Sequence, residues 1–521
     1  MKLPTLVFVT TIVSTLTIAF FSVPVLAVSL TSDDVANYAV DTYSEPMVAN
    51  LAKLVAFDTT AIPGKTPDTN PQFIGFKAEL KALSTELGLD FSDHGYVMLI
   101  GLGDSENKLG IITHGDVQPA DPALWQQSPF LLDSTSEPGK LIGRGTEDDK
   151  GAIVTAMYAM KAIKDKSIAL NRRIELMVYM AEESDWQPLR EFLKTFTPAD
   201  INITIDAEYP VVTAEKGWSQ IAFTLNNPQA KTNVEQVNRN ADLAKLTYFS
   251  GGVFASQVPQ QAVAKLINVA PELRNKLEAQ AKLQVQMDYR FEQQGNLLTI
   301  YADGKSTHSS TPEDGVNAVT HLADVLSIHS WPRTTASQTQ LFISEMVGLG
   351  LYAEQFGEIA YKDDFMGNMT LAATVVKQGD LGTQITLNLR RPKGKSAETL
   401  DKQALSAMHL WQGKHQVSIS GLETYWGKPM VMEGAPHLET LLTVFEHYTG
   451  IINPQPVSIG GSTNSKLFPN ALSFGPAMPG VEYTGHSEHE FITYEQFMLN
   501  LKMYTAAFIE LSTEGSSCSQ L

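Results

Sequence analysis

The 521-residue sequence predicts an α/β fold: a main domain with a central mixed, mostly parallel sheet flanked by helices, plus an inserted α+β domain. Three observations carry this expectation. Strand-like apolar runs alternate with helix-period segments from residue 97 to residue 206, the rhythm of a parallel sheet whose sites lie at strand C-terminal ends. Around residue 213 that rhythm gives way to alternating and polar stretches, and from about residue 398 it resumes. At this length one core does not suffice, so two or three domains are expected. The divisions read as 1–27 for a leader, 28–212 and 398–521 for the main domain, and 213–397 for the insertion.

The leader stands apart. Lys2 is its only charge, and the run LVFVTTIVSTLTIAFFSVPVL closes on Val25-Leu26-Ala27, a small-x-small ending of the kind signal peptidase cleaves. Cleavage after Ala27 would export the chain, to a bacterial periplasm first or to the medium, with no membrane attachment afterwards. An uncleaved anchor is the alternative, because the run nearly reaches bilayer length.

DDVANYAVDTYSEPMVANLAKLVAF then places apolar residues at helical spacing. VMLIGLG and LGIITH read as strands, GAIVTAMYAMKAIKD as a helix, and RIELMVYMAEE and INITID as strands. In the insertion EKGWSQIAFTLNN alternates, and strands NLLTIYADG and TQITLNLRRP enclose a helix over DGVNAVTHLADVLSI. The main domain returns with helix ETLLTVFEHYTG, strands PQPVSIGG and NALSFGP, and a final helix TYEQFMLNLKMYTAAFIELS.

Composition narrows the function classes. The chain is 43% hydrophobic and 18% charged, an ordinary globular balance. A net charge of -19 and a pI near 5.0 argue against nucleic acid or anionic membrane as partner. The one cysteine, Cys518, sits in the polar tail SSCSQL, so no internal disulfide forms and a thiol nucleophile is disfavoured.

Five stretches carry candidate chemistry, and each also has an ordinary reading. THGDVQPAD sets His114 and Asp116 two apart, on one strand face, where a carboxylate braces an imidazole; a lone H-x-D is as readily structural. GRGTEDDKG packs Glu147, Asp148 and Asp149 between glycines before an apolar helix, and acids there also suit a helix start. AEESDW ends a strand with Glu182 and Glu183, which would point opposite ways and hold different roles. ITIDAEYP puts Asp206 at the end of a hydrophobic strand, where aspartate is also a common turn former. TGHSEHEFIT brings His486 and His489 beside Glu488 and Glu490.

Together these give two histidines and at least three carboxylates from the strand ends of one sheet. Such a nitrogen and oxygen set suits zinc, with cobalt or manganese as substitutes. Two metals about 3.5–4 Å apart need a bridging carboxylate, and a glutamate beside a ligand glutamate would serve as base. The joint pattern points to a dimetal hydrolase.

The order HGD, GRGTEDDKG, EES, DAEYP and a late GH resembles the dizinc metallopeptidase family of ArgE, DapE, aminoacylase and carboxypeptidase G. EES-x-W followed by DAEYP is most similar to its PepV-type dipeptidases, and the resemblance runs from about residue 46 to residue 510. It implies that His114 and Asp206 ligate one zinc, Glu183 and His486 the other, and Asp148 bridges them, with a cis peptide between Asp148 and Asp149. It makes Glu182 the general acid/base and Asp116 the carboxylate that orients His114. It makes the insertion a lid, whose His308 in GKSTHSSTPEDG stabilises the tetrahedral oxyanion and whose Arg390 in LNLRRPKG contacts the substrate carboxylate. Gly461 and Ser462, in the turn GGSTNSKLFPNALSFGP, would lie against the substrate.

Departures from the family pattern are local. Ser256-Gln257-Val258-Pro259 stands where Asn-x-Val-Pro is common, Asn464 and Lys466 stand where dipeptidases often have Arg or Ala, and Glu147 occupies a position that is often small. The expected activity is that of an exported zinc-dependent dipeptidase with two Zn2+ per chain, acting on dipeptides or short peptides. A monomer is expected, because an enlarged PepV-type lid mimics the dimer of other members. The alternative is an N-acyl-amino-acid deacylase or carboxypeptidase with the same dizinc site. A non-catalytic peptide-binding or metal-storage role is disfavoured by the complete ligand set and by Glu182.

Overall fold

The computed structural model describes residue 1 and residues 30–228, 243–432 and 434–513. Residues 2–27 of the expected leader, and Cys518, lie outside the described residues.

The main sheet follows from buried, β-branched runs. Its strands lie in the order Asp90–Asp93, Val97–Leu102, Arg173–Tyr179, Lys108–His114, Ile201–Thr204, Ala471–Ser473, Val212–Glu215 and Met430–Val431, with Val457–Ile459 also paired to Val212–Glu215. The four from Arg173–Tyr179 to Ala471–Ser473 are parallel, and the flanks bring in antiparallel pairs. Both faces are covered. Met98 and Ile100 point into one apolar cluster, Val97 and Leu99 into another, as alternate strand residues must.

Helices Ser32–Val55, Pro71–Leu87, Lys150–Asp165, Leu438–Thr449 and Tyr494–Thr513 fill the larger cluster. Their ends obey local chemistry. Thr31 and Asp34 form a reciprocal capping box at the first helix. Asn70 caps the second, Pro71 starts it, and Gly88 ends it in a left-handed turn.

The second sheet is antiparallel throughout, in the order Asp288–Gln294, Leu297–Asp303, Gln261–Ile267, Lys245–Gly251, Thr370–Gly379, Gly382–Arg391, Gly217–Asn226 and Ile419–Trp426. Gly217–Asn226 alternates buried and half-buried along its whole length, the signature of a strand with one covered face. Helices Ala318–Leu326, Thr335–Phe342 and Ala397–His415 supply the cover.

The limits read as 213–397 need correction at both ends. Val212–Glu215 is bonded into the main sheet, so the insertion starts at about Gly217. Helix Ala397–His415 buries Leu400, Ala404, Met408 and Trp411 in the insertion's core, and Ile419–Trp426 pairs with Gly217–Asn226. The main domain therefore resumes only after Gly427. A helix followed by a strand carries no mark of which sheet that strand will join. No helix among the described residues is long and apolar enough to cross a membrane.

Trp411 tests the revised limit, since it is 4% exposed and meets Phe342 edge-on at 5.0 Å. Trp411→Ala is expected to cost ~3–5 kcal/mol. Amide exchange should then rise in the insertion's strands while the main sheet stays protected; the reverse pattern would return the helix to the main domain.

Candidate metal centre and active site

The expected site residues gather where the parallel strands end. His114 is the last residue of Lys108–His114 and is wholly buried. Its Nδ1 lies 2.9 Å from the Asp116 carbonyl and 3.5 Å from the Asp116 carboxylate. Its Nε2 lies 2.9 Å from Asp148 Oδ1 and 3.6 Å from Asp206 Oδ1. With one ring nitrogen tied to Asp116, the other is turned to the carboxylates, the arrangement of a braced metal ligand.

The strand ends at His114, so Asp116 is not on a shared strand face as the spacing suggested; the loop folds it back. Its carboxylate accepts the amides of Glu182 at 3.0 Å and Glu183 at 3.1 Å, which ties two strand ends together.

Glu182 and Glu183 also lie beyond their strand, which stops at Tyr179, and a turn rather than strand alternation separates them. Trp186 donates its indole N–H to the Glu182 carbonyl at 2.7 Å, closing the EESDW turn. Glu183 Oε1 is 2.8 Å from His486 Nε2, and its Oε2 accepts from Gln118 at 2.9 Å. Glu182 Oε1 instead accepts the Asn464 amide at 3.1 Å. The two glutamates thus serve different partners.

Asp148 sits between the histidines. Its Oδ1 faces His114, and its Oδ2 is 3.0 Å from His486 Nε2 and accepts the Tyr483 hydroxyl at 2.8 Å. The Asp148–Asp149 peptide is cis. A Cβ on Gly151 would lie 2.1 Å from the Thr146 carbonyl, so only glycine lets the loop close this tightly onto the following helix. Asp149 forms a grouping with His114 and Asp206, but its Oδ2 takes the Thr113 hydroxyl and the His114 amide. Asp148 lies within 3.0 Å of both histidines.

The donor set fits divalent cations. Asp148 and Glu183 cluster with His114, as do Asp149 and Asp206. Burial opposes charge on the histidines, yet Asp206 and its neighbours push His114 well above its usual value, and Glu183 and Asp148 push His486 to about 10. Carboxylates that draw protons this strongly call for more positive charge than the side chains provide. Imidazole nitrogens and carboxylate oxygens are the donors that zinc, cobalt and manganese accept.

Around this cluster stand groups suited to proton transfer and charge stabilisation. Burial, and next the Asp206 carboxylate, raise the Glu182 carboxyl well above the usual range. From the insertion, the His308 ring meets that of His486 at 4.7 Å, and burial, His486 and Arg390 keep it neutral. Ser310 meets His308 Nδ1 with both its hydroxyl and its amide, the latter at 3.4 Å, which fixes that edge of the ring. Gln257, at the departure from the family pattern, donates to the His486 carbonyl at 3.2 Å. Arg390 is buried, lines the cleft above the cluster, and bonds Asn388 through Nε and Ser309 through Nη2.

Gly461 and Ser462 line that cleft of about 2360 Å³. The close approach falls one residue earlier, since a Cβ on Gly460 would lie 2.2 Å from the Ser310 carbonyl of the insertion. Buried Glu215 holds the turn by accepting from the Thr463 amide at 2.9 Å and hydroxyl at 2.8 Å.

Other candidates fall outside. His489 pairs with Glu137 at 2.5 Å, and Glu488 accepts from Trp125 at 3.0 Å. Lys150 donates to the Phe57 carbonyl rather than to the acids beside it, and burial lowers it to about 7. Tyr483, Gln118 and the Asn464 amide were not anticipated; a tyrosine in a polar loop or a backbone amide has no spacing to reveal it.

A model of the family described as Peptidase family M20/M25/M40 matches residues 110–510. The Beta-Ala-Xaa dipeptidase of Lactobacillus delbrueckii subsp. lactis is 28% identical over 484 residues, covering 90% of this chain and 97% of that protein. Among solved structures, human carnosine dipeptidase 1 superposes with a TM-score of 0.59 at 14% identity, covering 92% of this chain and 99% of that chain. The dipeptidase Dug1p of Saccharomyces cerevisiae gives 0.57 at 14% identity, covering 93% and 100%. At that identity the two structures speak for the fold.

Asp116→Ala tests the brace on His114. It is expected to weaken Zn2+ binding by ~10–100-fold in chelator competition; unchanged affinity would remove Asp116 from the ligand scaffold.

Proposed function

The chain belongs to peptidase family M20/M25/M40 and is a hydrolase of the metallopeptidase type; we propose that it is a zinc-dependent dipeptidase with two Zn2+ per chain. The observation that carries this reading is Asp148, whose two oxygens face His114 and His486, with Asp206 beside the first and Glu183 beside the second. His114, Asp148 and Asp206 would hold one cation, and Asp148, Glu183 and His486 the other. Bound there, the pair supplies Lewis-acid activation of a water and of the scissile carbonyl.

The chain's own residues supply the rest. Glu182 is the base with a raised carboxyl: it takes the proton from the attacking water and returns it to the leaving amine. The Asn464 amide holds its Oε1 in place. His308, neutral and held at Nδ1 by Ser310, would donate from Nε2 towards the carbonyl oxygen as negative charge develops. Among the described residues Arg390 bonds through Nε and Nη2, which leaves Nη1 for the substrate's carboxylate.

A dipeptide also carries an ammonium group. Glu208 lines the cleft and has no hydrogen-bond or ion-pair partner among the described residues, which offers that group a carboxylate. This favours a dipeptide over the acylated amino acid of the deacylase reading, whose blocked nitrogen has no charge to pair. The lid residues that meet the site belong to the same chain, which supports a monomer. The apolar leader supports export to the periplasm.

Glu182→Ala should lower kcat by ~10²–10⁴-fold with zinc content unchanged; wild-type turnover would defeat the assignment. A charge-assisted contact is worth about 1.5–3 kcal/mol, so Glu208→Gln should raise KM for free dipeptides by ~10–100-fold. Acetyl-amino acids cleaved as well as free dipeptides by the wild type would favour the deacylase.

A further inference from the structure

Glu147 and Glu490 are buried, belong to neither ion-facing grouping, and reach into each other's loops. Glu147 Oε2 accepts the Thr484 amide at 2.7 Å, the Thr484 hydroxyl at 2.8 Å and the Gly485 amide at 3.1 Å. The next residue is His486. Glu490 Oε1 accepts the amides of Gly145, Glu147 and Asp148, each at 3.0 Å, and its Oε2 takes Arg144 at 2.8 Å. Each carboxylate therefore grips backbone at or next to an ion-facing residue on the opposite loop, across a sequence separation of 337 or more.

The two histidines are held differently. His114 ends a central strand and has its Nδ1 fixed by Asp116. His486 sits in a loop with φ 64°, a left-handed conformation strained for a residue with a Cβ. Among the described residues none gives its buried Nδ1 a hydrogen bond, so no side chain among them braces the ring through that nitrogen. Besides the contacts of its Nε2 with Asp148 and Glu183, its placement relies on its backbone, which Glu147 holds from the N-terminal side and Gln257 from the carbonyl.

We propose that Glu147 and Glu490 form a reciprocal clamp that fixes the separation of Asp148 and His486. Glu147 is a positioning residue for the second cation, the one facing Asp148, Glu183 and His486, and does not touch it. The inference rests on the two-ion reading above.

Zinc binding by the mature chain separates the alternatives, measured by chelator competition and by metal content after dialysis. Wild type should take up two Zn2+. Glu147→Ala should keep one site at wild-type affinity and weaken the other by ~10–100-fold. Glu147→Gln retains a carbonyl oxygen for the same donors and should recover most of the loss. Alanine binding both ions as wild type does, or weakening both equally, would overturn the clamp, as would glutamine behaving no better than alanine. Should Glu147→Ala not fold, Thr484→Val removes one donor; a smaller loss confined to one ion supports the clamp, and unchanged or evenly reduced affinity overturns it. A wild-type chain that takes up one Zn2+ or none defeats the two-ion reading itself, whatever the variants do.

Discussion

A buried carboxylate must find donors or cations, and the acids of this chain divide on that requirement. Asp116, Glu147, Glu215 and Glu490 are met by backbone amides and hydroxyls. Asp148, Glu183 and Asp206 instead converge on two histidines and on one another. The first group places the loops, and the second builds the centre that those loops present. Each member of the first group accepts from a segment distant in sequence, so it fixes in space what the chain leaves unconnected. Lose that group, and the second would be a scatter of acids at strand ends.

The insertion completes the centre. Its sheet has an apolar core of its own, so it holds shape independently of the strands below. The residues it brings to the site include His308, Ser310 and Gln257 around His486, and Arg390 in the cleft. The approach is tight enough that Gly460 admits no side chain beneath Ser310. This approach places a neutral imidazole beside the charged cluster.

Much of this was legible in the sequence, for reasons that differ by residue. The stretches holding His114, Asp148, Glu183, Asp206 and His486 stand out because acids and histidines at the ends of apolar strands are conspicuous together, but the choice of these five within their stretches comes from the family resemblance. The alternation in EKGWSQIAFTLNN was readable, and the burial of Gly217–Asn226 follows it. Strand ends were less readable: Asp116, Glu182 and Glu183 were placed on strands that stop at His114 and Tyr179. The role of Glu147 was invisible because an acid that caps backbone amides leaves no residue-type signature in its partner. Residues from about 398 read as main domain, whereas helix Ala397–His415 packs in the insertion's core, because a sequence does not show which core a buried helix face will join.

The central claim is that Asp148 bridges two cations. Anomalous scattering from crystals grown with Zn2+, recorded on both sides of the zinc absorption edge, tests it most directly. Two peaks about 3.5–4 Å apart are expected, one beside His114 and Asp206, the other beside Glu183 and His486, with Asp148 between them. A single peak, or two peaks that do not share Asp148, would contradict it.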